Sequence, residues 1–454
     1  MKVSQGSQGN QAPTDPAPTS PPPLHARPRH HRVPALVLGA TLVLTACTVA
    51  TDASPHARGQ AAAPFSAAVA ARLEAVLAEA TTLSGSTGAI AGVWAPWAGT
   101  WVVSPGNVST TSPGALTPEM PFRIGTNTTA LTCTVLLRLV DEERVRLDDP
   151  VSDYLPRVVG LDGITLAQLC RNTSGLADHT ALLAPRIVAN PTRRWSAREI
   201  IASGTGAPRV ALPGGTWSPS DTGVVLLGLA LQQATGRDWP WLYRHYVFEP
   251  LGMTNTGLPS PGELAVPGPS PRGYATSLDP AGAARCGSVI DVTELSPSVG
   301  GVAAGAVSNL EDVKIWVQAL ASGTLLSEES TDAQWAPVLP GAGAPSWQQH
   351  GLGVEQFGPL RGQSGEIPGF ISAAMADPVS GLTVVVAFNN STAGRGFAEV
   401  VARRLAAVAG AAPTAGAVPA PRPDLPWTEA QVAAEMRAAA VCESTRLEQP
   451  ATAG

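Results

Sequence analysis

The feature that most restricts the fold is where the strand-like segments fall. Two short apolar runs, residues 89–94 and 100–103, stand near the start of the periodic sequence with a Pro/Gly turn region between them. Two more, 370–375 and 382–388, stand near its end. Helical periodicity dominates the stretch between the two pairs. Helices also flank them: residues 66–80 carry Val69, Leu73, Val76 and Leu77 at helical spacing, and residues 397–408 are amphipathic. The sequence therefore predicts one sheet assembled from both ends of the chain with a helical insert, an α+β domain spanning 65–410.

With 44% apolar and 14% charged residues in 454, a sizeable core is expected. The net charge of −6 and the lack of a basic stripe exclude nucleic acid as a partner class. A scarcity is more informative. The chain has two lysines, Lys2 and Lys314, and four tyrosines, Tyr154, Tyr243, Tyr246 and Tyr274. Any chemistry that needs an amine or a phenol must draw on these.

The ends of the chain read differently from the middle. Residues 1–24 are rich in Pro, Gln, Ser and Thr, and a basic cluster follows (Arg27, Arg29, His30, His31, Arg32). The apolar run 33–46 is too short to span a bilayer but suits the hydrophobic part of an export signal. Leu44-Thr45-Ala46-Cys47 resembles a bacterial lipobox, which implies lipidation of Cys47 as the new N-terminus. Two acyl chains then give stable anchoring where one is marginal. The alternative is an ordinary cleaved signal, residues 1–46, with a chance cysteine beside the cut. Residues 47–64 read as a tether, and 411–427, with five prolines, as a linker. A short helix over 428–440 is expected beyond it, with Thr428 as N-cap and Glu429 in the first turn. The expected location is extracytoplasmic, on the cell membrane.

Several segments, in one order, carry a family resemblance. Phe122-Arg123-Ile124-Gly125-Thr126, followed by 136–140 and Leu147-Asp148-Asp149-Pro150-Val151, resembles the nucleophile-helix region of class C β-lactamase-like serine hydrolases. Asn172-Thr173-Ser174-Gly175-Leu176 is similar to their H-T-S-G-L loop. Pro213-Gly214-Gly215, residues 222–228, Phe248-Glu249-Pro250-Leu251-Gly252-Met253 and residues 362–370 continue the series. The resemblance spans nearly all of 65–410. It implies the β-lactamase/penicillin-binding fold, an antiparallel sheet flanked by helices, with no cofactor and no metal.

It also implies where chemistry should sit. The family's S-x-x-K, Y-x-N and K/H-x-G motifs supply a serine nucleophile at the start of a helix, a lysine and tyrosine that move its proton, and backbone N–H donors for the oxyanion. Here the first motif reads Thr126-Asn127-Thr128-Thr129, with threonine at both the nucleophile and the lysine positions. A threonine hydroxyl can attack, but its branched Cβ crowds the site, and Thr129 cannot serve as base. In Trp217-Ser218-Pro219-Ser220-Asp221-Thr222-Gly223, Pro219 stands for the tyrosine and Asp221 for the asparagine. Proline has no proton to exchange, and a carboxylate repels an anionic substrate. Gln363 replaces the third motif's lysine or histidine and cannot titrate. The oxyanion donors, the backbone N–H groups of Thr126 and Glu366, survive because they are main chain. Among substitutes, Lys314 belongs to a peripheral helix and is expected to be solvated. Tyr274 borders the cleft in a structural role. His179, at the pocket mouth, is the best remaining titratable group.

After export and use of Cys47, the cysteines Cys133, Cys170, Cys286 and Cys442 remain, an even set in an oxidising compartment. The resemblance brings Cys133 and Cys170 together beside the cleft, so a bridge between them is expected; buried free thiols are the alternative. The functional expectation is a catalytically inactive lipoprotein that binds a peptidoglycan-like or other acyl small molecule, or serves structurally in the envelope. The alternative is a weak acyl hydrolase of esterase, β-lactamase or D-Ala-D-Ala peptidase type using Thr126.

Overall fold

The computed structural model describes residues 63–111, 114–278, 284–341, 343–415 and 421–440. The expected leader 1–46, Cys47, nearly all of the tether, Cys442 and the side chain of Cys286 lie outside the described residues. The described strands, in chain order, are β1 (Ala89–Ala95), β2 (Gly99–Val103), β3 (Phe122–Arg123), β4 (Tyr274–Leu278), β5 (Ala284–Asp291), β6 (Val307–Ser308), β7 (Gln348–His350), β8 (Glu355–Phe357), β9 (Leu360–Ile367), β10 (Phe370–Ala376) and β11 (Thr383–Phe388). Seven of them make one antiparallel sheet in the order β2-β1-β11-β10-β9-β8-β7. The two ends of the chain meet at the β1–β11 seam, where Ala89 lies opposite Phe388 and Trp94 opposite Thr383.

Both faces of this sheet are covered, which is why its central strands read as unbroken apolar runs rather than alternating ones. Side chains alternate along a strand, and here each set has its own partners. Ala91 and Val93 of β1 with Val384 and Val386 of β11 pack on Leu73 and Leu77 of the Ala67–Leu83 helix and on Val401 and Leu405 of the Gly394–Gly410 helix. Ile90, Val385 and Ala387 point the other way, into a cluster with Leu131 and Leu136 of the Asn127–Asp141 helix and Leu226 and Leu227 of the Asp221–Thr235 helix. Each such valine or leucine, fully buried, stabilises by about 1.5–3 kcal/mol. The insert between the strand pairs is thus one half of a shared core.

The C-terminal segment, where the sequence predicts a linker and a short helix, packs its helix onto the compact unit. Thr428 caps the Glu429–Ala438 helix through a capping box with Gln431. Val432 and Met436, one turn apart, are buried against the Gly394–Gly410 layer. Trp427 is buried as well and its indole N–H donates to the Arg403 carbonyl at 3.3 Å. Arg403 ties the layer together: its guanidinium bonds Glu399 and Glu435 and lies over the rings of Trp347, Phe357 and Trp427. The reason for the packing is that the helix carries a small apolar face and a carboxylate that this arginine can reach.

Candidate functional site

Thr126 stands at the N-terminus of the Asn127–Asp141 helix, where β9 presses against the turn that precedes it. Two glycines permit this approach. Gly125 has φ +58°, and a Cβ there would lie 2.5 Å from the Glu366 nitrogen; one on Gly365 would lie 2.0 Å from the Ile124 carbonyl oxygen. The closeness sets the chemistry of Thr126. Its hydroxyl donates to the Ser364 carbonyl at 3.1 Å and accepts the Glu366 N–H at 3.1 Å. The hydroxyl proton is therefore held by a carbonyl, which cannot remove it. The Glu366 N–H, expected to stand open for an oxyanion, is instead engaged by the Thr126 oxygen.

Thr129, expected at the family's lysine position, acts as a fastener. Thr129 donates to the Ala303 carbonyl at 3.0 Å, and one turn on Thr132 donates to the Val302 carbonyl at 2.6 Å. Thr128 bridges the Gly125 carbonyl and the Ala306 N–H. The hydroxyls of Thr129 and Thr132 thus hold the helix to the Gly301–Ala304 turn.

The second motif is held by the loop after Cys170. Asn172 adopts a left-handed φ of +55°, and its side-chain oxygen accepts the Ser220 N–H at 3.0 Å while its carbonyl accepts the Ser218 N–H at 2.7 Å. Pro219 sits between these two anchors. Cys133 and Cys170 form a disulfide with Cα atoms 5.9 Å apart, joining the Thr126 helix to the base of this loop. Ser220 caps the Asp221–Thr235 helix, and Asp221 is its first residue. The Asp221 carboxylate accepts from the Thr180 hydroxyl at 3.1 Å. Asp178, the N-cap of the His179–Ala189 helix, accepts the N–H groups of both Thr180 and Asp221. Burial first, then the Asp178 charge, push the Asp221 carboxyl up to about 7, although Arg395 pulls the other way.

Gln363 is buried and spent internally. Its amide N–H donates to the Gly353 carbonyl at 2.9 Å, and its oxygen accepts the Ser364 N–H at 3.0 Å. Beside it Glu355, also buried, accepts the Ser364 hydroxyl at 2.7 Å and faces the Arg395 guanidinium at 3.5 Å. The Glu366 carboxylate accepts the Arg395 backbone N–H at 3.0 Å, and burial holds its pKa above the ordinary carboxylate value.

These residues enclose a cavity of about 550 Å³. Thr126, Thr129, Pro219, Asp221, Gln363 and Glu366 all line it. Three other candidates do not. His179, expected at the pocket mouth, is 1% exposed: it opens a helix, its Nδ1 lies 3.3 Å from the Thr222 hydroxyl, and burial lowers its pKa. Tyr274 is buried on β4, its hydroxyl accepting the Thr110 N–H. Lys314, expected to be solvated, lies partly covered over the Trp94 ring and bonds Glu311 at 2.9 Å. Its alkyl stem shelters on apolar surface while the amine stays paired.

Asp178, Thr180 and Arg395 also line the cavity and were not singled out from the sequence. A signal existed for Asp178, an aspartate just before a helical run, which is an N-cap pattern. Arg395 follows β11 by seven residues, and only the folded sheet brings that position back to β9.

Comparison with known proteins accords with this geometry. Residues 73–409 match the Beta-lactamase family. The D-alanyl-D-alanine-carboxypeptidase/endopeptidase AmpH of Escherichia coli (strain K12) is 34% identical over 151 residues, 31% of this chain and 38% of that one. A D-aminopeptidase of Cereibacter sphaeroides is 28% identical over 304 residues, 63% of this chain and 54% of that one. The chain therefore spans less than two thirds of the length of these curated relatives. A D-stereospecific amidohydrolase from Streptomyces sp. superimposes with a TM-score of 0.63 at 28% identity, covering 71% of this chain and 94% of that one. Matched over most of its length and built on the same sheet, the chain belongs to the beta-lactamase family, with the β-lactamase/penicillin-binding fold of its serine-hydrolase homologues.

Proposed function

We propose that this chain is a non-catalytic member of its family, an exported, lipid-anchored envelope protein that keeps the cleft as a binding site for a peptide-like or other acyl small molecule. The observation that carries the reading is the state of the Thr126 hydroxyl. Its proton is directed at the Ser364 carbonyl, its oxygen takes the Glu366 N–H, and Thr129, at the base position, is bonded to Ala303. An acyl transfer from such a group lacks a route for the proton. Loss of the equivalent machinery in a serine hydrolase lowers kcat by about 10⁶. A shared fold does not restore it.

A roomy, partly apolar cavity nevertheless persists, as a binding site requires. Export and anchoring are supported by the basic cluster, the apolar run 33–46 and Cys47 in the sequence. No helix among the described residues is long and apolar enough to cross a membrane. Cys47→Ser should release the protein from membranes or leave the precursor unprocessed; normal processing and anchoring of that variant would remove the lipid from the proposal.

A second reading, a weak acyl hydrolase, is favoured by one fact: Thr126 lines the cavity. The two separate in one experiment. Purified protein should show no mass increase after exposure to penicillin and no hydrolysis of nitrocefin or p-nitrophenyl esters above buffer, and Thr126→Ala should be indistinguishable from wild type. Turnover that Thr126→Ala abolishes would establish the hydrolase instead.

A further inference from the structure

The resemblance assigns the cleft an amide at one wall and a cation at another, a set suited to anionic ligands. The folded site reverses this. Asp221 occupies the amide position and neutral Gln363 the cationic one, while Asp178 and Glu366 add two more carboxylates to the lining. Arg395 is the one arginine or lysine lining the cavity among the described residues, and its guanidinium already faces the buried Glu355 carboxylate at 3.5 Å. His179 does not compensate, because burial holds it toward its neutral form beside Asp178.

Apart from the neutral hydroxyl and amide groups of Thr126, Thr129, Asn172, Thr180, Ser220 and Ser391, the remainder of the wall is apolar. Ala181, Ala184, Ile187 and Val188 of the His179–Ala189 helix, with Val224 and Ile367, line the same cavity of about 550 Å³. A space of this size takes a compact organic molecule, and its chemistry has two parts: an apolar body against the helix and a positive group among the carboxylates. Resting on the reading of the cleft as a binding site, we propose that its ligand is an organic cation, an ammonium-bearing molecule whose charged end meets Asp221, Asp178 and Glu366.

Charge placement explains why a cation is preferred and an anion opposed. Asp178 and Asp221 are half-buried while Glu366 stays open to solvent, and a carboxylate partly taken from water is destabilised unless a partner offsets the loss. An ammonium supplies both the opposite charge and N–H donors, making charge-assisted bonds stronger than neutral ones. A carboxylate ligand in the same position would meet like charge from three carboxylates, and the one cationic side chain in the lining, Arg395, already faces Glu355.

The test uses one apolar body with three ends: 4-phenylbutylamine, 4-phenylbutan-1-ol and 4-phenylbutyrate. Each is titrated calorimetrically into the detergent-solubilised mature protein at about pH 8, where Asp221 is ionised. The amine should bind at least about tenfold more tightly than the alcohol, as expected of hydrogen bonds to charged groups, and the carboxylate should be weakest. Asp221→Asn should remove most of the amine-over-alcohol preference, and an undiminished preference in that variant would overturn the assignment of Asp221 to the charged end. Glu366→Gln gives an independent check should the first variant fold poorly, and it too should narrow the preference. Equal affinity for amine and alcohol would overturn the cation inference while leaving a binding cleft. Failure of all three to bind up to about 10 mM, above the ~1 mM expected of fragments this small, would overturn both. Turnover of acyl substrates together with intact amine preference would overturn only the non-catalytic reading.

Discussion

Two carboxyl groups in this protein are each pushed up to about 7 by burial, and their surroundings are opposite. Glu399, in the layer formed by the last two helices, accepts a hydrogen bond from Arg403, which also binds Glu435 and rests on three aromatic rings. Asp221, in the cleft, has a second carboxylate, Asp178, as its next influence after burial, with one hydroxyl bond from Thr180. Burial alone therefore does not distinguish a structural carboxylate from one left available. The counter-charge does. In the terminal layer a directly bonded arginine supplies it; in the cleft Arg395 acts on Asp221 only through its charge and is shared with Glu355.

The comparison is broken most severely at Arg403. Arg403→Met should destabilise by about 3–5 kcal/mol, the usual consequence of leaving a buried charge without its partner. Urea unfolding measures it, and a loss below about 1 kcal/mol would mean the aromatic packing, not the ion pairs, holds the layer.

A smaller effect is expected from the cleft's own cross-link. The Cys133–Cys170 bridge closes a loop with a sequence separation of 37. Replacing both cysteines with alanine should lower stability by about 3 kcal/mol through the regained chain freedom of the unfolded state. Thermal melting with and without reductant should show the wild type losing the same increment that the variant lacks; no sensitivity to reductant would place both thiols unbonded in the purified protein.

The smallest effect sharpens the comparison by its pH dependence. The folded-state value for Asp221, about 7, lies above the ordinary 3.8. Between those values the folded protein binds more protons at this site than the unfolded chain. Its contribution is therefore fully present below about pH 4 and is lost as pH rises through about 7. The groups acting on Asp221 are Asp178 and Thr180 of one helix, Glu366 of β9 and Arg395 of the last sheet-covering helix. Asp221→Asn should flatten this part of the profile, with a difference of about 1 kcal/mol or less because the carboxyl is only partly shielded from solvent. Unfolding at pH 5 and pH 8 in both proteins checks it. An unchanged slope would show that Asp221 is ionised throughout.

What the sequence by itself determined follows from short-range order. Strand-like runs at both ends, helical spacing between them and the motif segments in order were enough for an α+β sheet with a helical insert. The expectation that Thr129 and Pro219 stand where the family has lysine and tyrosine rests on motif order and residue identity alone. The Thr428 cap was legible because capping operates within one turn. What only the tertiary structure decided involves pairs distant in sequence. Thr126 and Glu366 are 240 positions apart, and their contact turned an expected oxyanion donor into an occupied one. His179 passed from the pocket mouth into the core because Thr222, 43 positions on, receives it there. Thr180 and Asp221 meet across 41 positions, and with Asp178 they make the acidic wall. Periodicity and caps are set by neighbours one to four residues away, whereas the polarity of a cleft is the sum of side chains that only the closed sheet brings together.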